Sequence, residues 1–450
     1  MSETSYPNNR SAMQDHGMSR FAARPLGPPA FAWALILAGI LASLYMQYGL
    51  SDVQEAKAEM SLDVLRIQSM MLIGVDSLSP GAAAIQIPEI ERTCRDQRAL
   101  QAMACVRTFL SPDDTNAALE RVEPTDEFGQ ELIAAIVDPT LLTEAERKKL
   151  KGHLGWFSTL LFAAQAPADD PTRAKIRAAG VKATIGYFSV LGVGGLACLI
   201  GFVLLIWGLI AVVAKEIHLR FQPTTLAPLL LEGFALYLFC FVMLQAIGRV
   251  LEPPMWAGVL FMLFSFSLGL FWPVLRGLPF GELRRQLGLT RGAGVLREIG
   301  CGFVGYIAML PLFVIGVIMT ATLQMVTTAI GWDVAPPTHP AVSWATNGGL
   351  WIVLLTFILA AVAAPLTEET MFRGALLHGM RTHLSLVFAG LLMGFIFAIV
   401  HPQGWLAIPP LMLLGFGFGL LREWRGSLIA PITAHAMHNG TLVLVMSVLF

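Results

Sequence analysis

Near the carboxyl end of this 450-residue chain, Glu368, Glu369 and Arg373 interrupt one apolar stretch, His401 closes a second, and His435 and Asn439 stand inside a third. Each charge placed at membrane depth costs about 2.5 kcal/mol or more, so an ionisable residue there is by default a functional hypothesis. Glu369 and Arg373 are four apart on one helical face, the spacing of an internal ion pair. Glu368 is turned about 100° from Glu369 and can face another partner. Beside His401 it makes a general base for a water molecule. His435 and Asn439 are again one turn apart, and both offer donors to a developing oxyanion. A base, an orienting imidazole and an oxyanion site together fit peptide-bond hydrolysis by activated water. Taken singly, Glu369 with Arg373 reads as a structural pair and either histidine as an interhelical contact; the coincidence of the set carries the functional reading. His438, about 60° round from His435, is assigned to packing, His378 and His383 to the solvated cytoplasmic end, and Glu232 to a reach back toward the interface.

The elements that must position these residues are membrane helices. The chain is 55% hydrophobic and 14% charged, with a mean hydropathy of +0.66, against about 25% charged residues in an ordinary globular domain. Of its 61 charged side chains, 35 lie between Ser51 and Ile185, which leaves the remainder more apolar still. Apolar runs of about 20 residues, each enough to cross roughly 30 Å of hydrocarbon, predict an all-α polytopic membrane protein. About nine spans are expected, at 31–49, 186–214, 226–248, 257–275, 301–328, 348–379, 385–400, 405–421 and 427–449. A net charge of −1 and a pI near 6.8, without a basic tract, exclude a nucleic-acid partner. Five scattered cysteines give neither a disulfide framework nor a paired-Cys zinc site. Cys94 and Cys105 could pair in an oxidising compartment or stay free. The spacings Gly390-xxx-Gly394 and Gly415-xxx-Gly419 predict close helix packing.

Residues 1–30 read as a disordered cytoplasmic tail, 31–50 as a signal-anchor helix, 51–185 as a soluble, helical, extracytoplasmic domain, and 186–450 as a multi-helix membrane domain. The segment 276–299 is basic and amphipathic and is expected along the cytoplasmic surface. Together with Lys215, Arg220, Arg381, Arg422 and Arg425, it puts the N-terminus inside; Arg249 and the cations at 173–182 run against that count.

The ordered set Glu368-Glu369-xxx-Arg373, Phe397-xxx-His401 and His435-xxx-Asn439 resembles the CPBP family of intramembrane proteases, which includes the CAAX prenyl endopeptidase and lysostaphin-resistance-like proteins. The resemblance covers about 225–450 and leaves the domain at 51–185 unmatched. It implies that Glu368 and His401 activate the hydrolytic water, that His435 and Asn439 bind the oxyanion, and that Glu369 and Arg373 shape the site. Such proteins are often labelled metalloproteases, yet the chain lacks H-E-x-x-H. Glu368, His401 and His435 remain candidate ligands for Zn²⁺, since catalytic zinc needs three protein ligands; metal-free glutamate catalysis is the preferred expectation. The substrate implied is a membrane-associated peptide or protein, and the lipid bilayer is the other partner. The signal anchor and the Ala-, Gly- and Arg-rich composition point to a bacterial inner membrane. Two other functions remain in view: a non-catalytic scaffold or bacteriocin-immunity-type protein of the same fold, and a secondary transporter, for which inverted repeats are wanting.

Overall fold

The structure, a computed structural model, describes residues 29–48, 53–94, 96–112, 114–123, 127–138, 142–167, 170–251, 255–332, 349–401 and 403–449. All but the last two residues of the expected tail, and most of the loop at 331–347, lie outside them. No strand occurs among the described residues. The helices are α1 (Pro29–Tyr48), α2 (Val53–Leu78), α3 (Ala83–Thr93), α4 (Gln97–Leu110), α5 (Thr115–Leu119), α6 (Glu127–Val137), α7 (Glu144–Leu154), α8 (Trp156–Gln165), α9 (Pro171–Val213), α10 (Ala227–Leu251), α11 (Met255–Leu275), α12 (Phe280–Leu287), α13 (Val295–Ala329), α14 (Leu350–Arg381), α15 (Leu386–Ile399), α16 (Ile408–Arg425) and α17 (Ile429–Leu449).

Seven helices among the described residues are long and apolar enough to cross a membrane, so the chain is an all-α polytopic membrane protein. The count differs from the nine spans expected. With 14 residues, α15 is about 21 Å long, short of the hydrocarbon thickness. The other exception, α17, carries His435, His438 and Asn439 along its length. A further difference lies at 276–299, where only α12 is a short amphipathic helix. It buries Leu283 and Leu287 and exposes Arg284 and Arg285, and α13 begins at Val295 rather than near 301.

The chain forms two compact units. The unit built from α2 to α8 and the first part of α9 has an apolar core of its own. Its centre is α4, whose Ala102, Met103, Cys105, Val106 and Phe109 are buried. Asp96 caps α4, accepting from the Ala99 N–H at 2.6 Å, and Thr143 with Glu146 closes a reciprocal cap on α7. Gly74 on α2 and Gly180 on α9 let two backbones meet, because a Cβ on Gly74 would stand 2.2 Å from the Gly180 carbonyl.

Both cysteines of this unit are free. Burial pushes the Cys105 thiol up to about 12, and burial, with the Glu91 and Asp96 charges behind it, pushes Cys94 up to about 11. Because the thiolate is the nucleophile, native Cys105 is expected to alkylate roughly 10³-fold more slowly at pH 8 than an unperturbed thiol. A mass-spectrometric time course with iodoacetamide, native against denatured, measures the ratio; equal rates would mean that the α4 core is open.

The second unit holds α1, the end of α9, and α10 to α17 except their outlying ends. Its main core joins Phe234 and Leu238 of α10 to Phe372 and Leu376 of α14 and to Met393 and Phe397 of α15. Glycines set the distance between α15 and α16. A Cβ on Gly394 would stand 2.3 Å from the Met412 carbonyl, and one on Gly415 would stand 2.9 Å from the Gly394 Cα. That close approach brings the backbone carbonyls of α16 within reach of side chains from α14.

Candidate active site

The local shape of α14 originates at Pro365. A proline inside a helix has no N–H to give and its ring presses on the carbonyl four residues back, here Ala361. The helix widens to accommodate it. Over Leu359–Ala363 the turns are π-helical, and the Ala364 N–H bonds the Leu359 carbonyl five residues behind. Ordinary turns return at Ala364–Glu369, and a second wide stretch follows over Thr370–Leu376, where the Leu377 N–H reaches Phe372. Wide turns of this kind concentrate at functional sites. The two glutamates sit between them.

Glu369 is wholly buried and faces inward to two cations or donors. Its Oε1 accepts from Arg373 Nη1 at 2.9 Å and from His435 Nδ1 at 2.8 Å. Arg373, also wholly buried, sends Nη2 to the Gly415 carbonyl at 2.9 Å, and its guanidinium lies over the rings of Phe397 (4.7 Å) and Phe418 (5.3 Å). Those rings fix the imidazole as well, since Phe418 stacks on His435 with centroids 4.9 Å apart.

Glu368 makes no such bonds. Its Oε2 is buried without a hydrogen-bond partner, 3.8 Å from His401 Nε2 and 3.9 Å from His435 Nε2. Three of the sequence candidates thus converge. His401 stands just past the end of α15, where the last carbonyls lack helical partners. The His401 backbone N–H bonds Ala398, and its side-chain Nδ1–H donates to Phe397 O at 2.6 Å. Since a carbonyl only accepts, Nδ1 carries a proton, and the ring turns Nε2 toward Glu368. His435, whose Nδ1–H donates to the Glu369 carboxylate, does the same. The Glu368 oxygen and the two Nε2 atoms therefore surround one small space, in which a water molecule can give its two hydrogens to Glu368 and His401.

Asn439 is placed differently from the other candidates: its Nδ2 donates to Ala360 O on α14 at 2.8 Å. His438 packs against Phe313 and Tyr306. His378 corrects the sequence expectation. It is 2% exposed rather than solvated, with Nε2 2.9 Å from the Gln286 carbonyl and its ring beside Phe221, because α12 covers it. His383 is exposed, and Glu232 accepts from Trp272 Nε1 at 3.0 Å.

The donor set does not fit a zinc ion. Two ligand atoms on one tetrahedral zinc at about 2.05 Å are about 3.3 Å apart. The measured 3.8 and 3.9 Å are wider, and no group of three His, Cys, Asp or Glu side chains among the described residues has the spacing to hold an ion. No step below runs through one.

Sequence reasoning missed a buried charge network at the other end of these helices. Arg425 makes a two-pronged pair with Glu298 at 2.9 and 2.7 Å, and Arg381 bonds Glu423. Arg422 is ringed by carbonyls, its Nε on Arg373 O at 3.3 Å and its Nη2 on Leu287 O at 3.2 Å. Gly288, at φ +84°, leaves it room, since a Cβ there would lie 2.5 Å from the guanidinium. The cluster Arg422-Glu-Trp-Arg425 at a helix end was its visible signal, but its partners lie 42 to 135 residues away in sequence.

Between these membrane helices a glutamate and two histidines thus share one space, with a buried Glu–Arg pair behind them. Residues 350–441, which hold all six candidate residues, match the type II CAAX prenyl endopeptidase Rce1-like family, and this part of the chain is an Rce1-like, CAAX-protease-type domain. The chain is similar to the "Uncharacterized protein YpbD" of Bacillus subtilis (strain 168), 37% identical over 87 residues. That stretch is 19% of this chain and 39% of YpbD, so the chain spans about two-fifths of that relative's length. No solved structure matches.

Proposed function

We propose that the protein is an integral-membrane endopeptidase in which Glu368 activates water against a peptide bond of a membrane-associated peptide or protein. The observation that carries this reading is the unpartnered Glu368 oxygen facing the Nε2 atoms of two imidazoles at 3.8 and 3.9 Å. A water there gives one hydrogen to Glu368 and one to His401, so its oxygen is left free to attack the scissile carbonyl. Glu368 takes one proton as the C–O bond forms and passes it to the nitrogen as the C–N bond breaks, releasing an amine and a carboxylic acid that keeps the other hydrogen of the water. His435 is oriented by the Glu369 carboxylate, which accepts its Nδ1–H, so that Nε2 faces the position of the oxyanion, to which an Nε2–H would donate. Arg373 holds Glu369 in place for that task.

The substrate class that fits is a peptide, lipoprotein or membrane-protein segment presented at the bilayer. The likeness to a Bacillus protein, with the composition of the chain, supports a bacterial inner membrane, and the arginines at Arg381, Arg422 and Arg425 support a cytoplasmic N-terminus. Mass spectrometry of new peptide termini in membranes, wild type against His401→Ala at matched abundance, tests the reading. Termini are expected with wild type only, and they name the substrates. Identical profiles across a broad set of membrane proteins would end the hydrolase reading.

A further inference from the structure

The two wide turns of α14 each leave a backbone carbonyl without a partner in its own helix. At the first, the Ala364 N–H has gone to Leu359, and the next residue, Pro365, has no N–H to offer Ala360. At the second, the Leu377 N–H has gone five residues back to Phe372, past the Arg373 carbonyl that ordinary four-residue bonding would give it. In a membrane helix such a carbonyl has no water to turn to. Each is met instead by a side chain from another helix: Asn439 of α17 donates to Ala360 O at 2.8 Å, and Arg422 of α16 donates to Arg373 O at 3.3 Å. Between the two lies Ala364–Glu369. Loss of the extra residue from either turn would rotate that segment by about 100° and carry Glu368 away from both imidazoles.

We infer that Asn439 is a positioning residue: by holding the Ala360 carbonyl that Pro365 deprives of its helical partner, it keeps the first wide turn open and fixes the register in which Glu368 meets His401 and His435. Arg422 is its counterpart at the second turn. The inference rests on Glu368 as the reacting carboxylate, but its test reads no turnover. A Cβ at residue 440 would stand 3.5 Å from the Ala361 Cβ, within disulfide reach. The full-length chain carrying Ala361→Cys and Gly440→Cys in a Glu368→Gln background is oxidised in detergent, and the linked peptides are quantified. High yield is expected with Asn439, a fall of about tenfold or more with Asn439→Leu, and recovery of much of the yield with Asn439→Gln, which keeps an amide donor. Monodispersity is checked for each chain; where Asn439→Leu does not fold, Asn439→Asp, of nearly the same shape without the donor, takes its place. Equal yield without the donor overturns the inference. Loss with Gln as great as with Leu overturns it too, since packing rather than the hydrogen bond would then set the register. Either result leaves the hydrolytic reading untouched, and failure of hydrolysis leaves this result standing.

Discussion

Glu368→Gln is expected to lower the rate of peptide cleavage by roughly 10²- to 10⁴-fold, the range for loss of a positioned general base, while leaving the protein as stable as wild type. The two halves of that expectation come from the same observation. Glu368 Oε2 has no hydrogen-bond partner, and the side chain is 19% exposed, so an amide of the same shape breaks no bond and empties no space. What the amide cannot do is take a proton from water. Initial rates in proteoliposomes, on a substrate taken from the terminus profile, measure the first half, and thermal unfolding in detergent the second. A variant that keeps more than about a tenth of the rate would remove Glu368 from the reaction. One that loses rate and stability together would place it among the structural residues with its neighbour Glu369.

That contrast between adjacent glutamates marks where sequence reasoning succeeds and where it stops. The four-residue spacing of Glu369 and Arg373 is enough to read their contact, because it depends only on helical pitch. The 100° between Glu368 and Glu369 is equally local. Which partners each would meet is not local, since it depends on two wide turns whose cause, Pro365, reads in sequence only as a kink. The glycine spacings at 390–394 and 415–419 announce close packing, yet they do not say that Gly415 would bring its carbonyl to Arg373. His378 fails for a related reason. Its burial comes from α12, some ninety residues earlier, and nothing near His378 signals a lid. The membrane class was legible throughout, because hydropathy sums over whole segments; the two expected spans outside the count are α15, which is shorter than its apolar run suggests, and α17, an unbroken helix whose apolar run is interrupted by the polar site residues.

Arg373→Met should destabilise the protein by about 3–5 kcal/mol, the effect of breaking a buried ion pair from one side. Glu369 is wholly buried and would keep only His435 against its charge, while the Gly415 carbonyl would lose its donor. Arg373→Lys should recover little. A single ammonium cannot reach Glu369 and Gly415 together while lying over Phe397 and Phe418, as the guanidinium does. The double change Glu369→Gln with Arg373→Met removes the stranded charge, so much of the lost stability should return, a coupling that a double-mutant cycle of unfolding in detergent reads directly. Activity should not return with it. Glu369 Oε1 also accepts the His435 Nδ1–H, and a neutral amide there supports the imidazolium less than a carboxylate does. A folded, inactive double variant would show that the pair both holds the helices and sets the charge of the imidazole. A folded and fully active one would confine Glu369 and Arg373 to packing. A loss below about 1 kcal/mol in Arg373→Met alone would mean that water reaches Glu369 and that the site is wetter than its burial indicates.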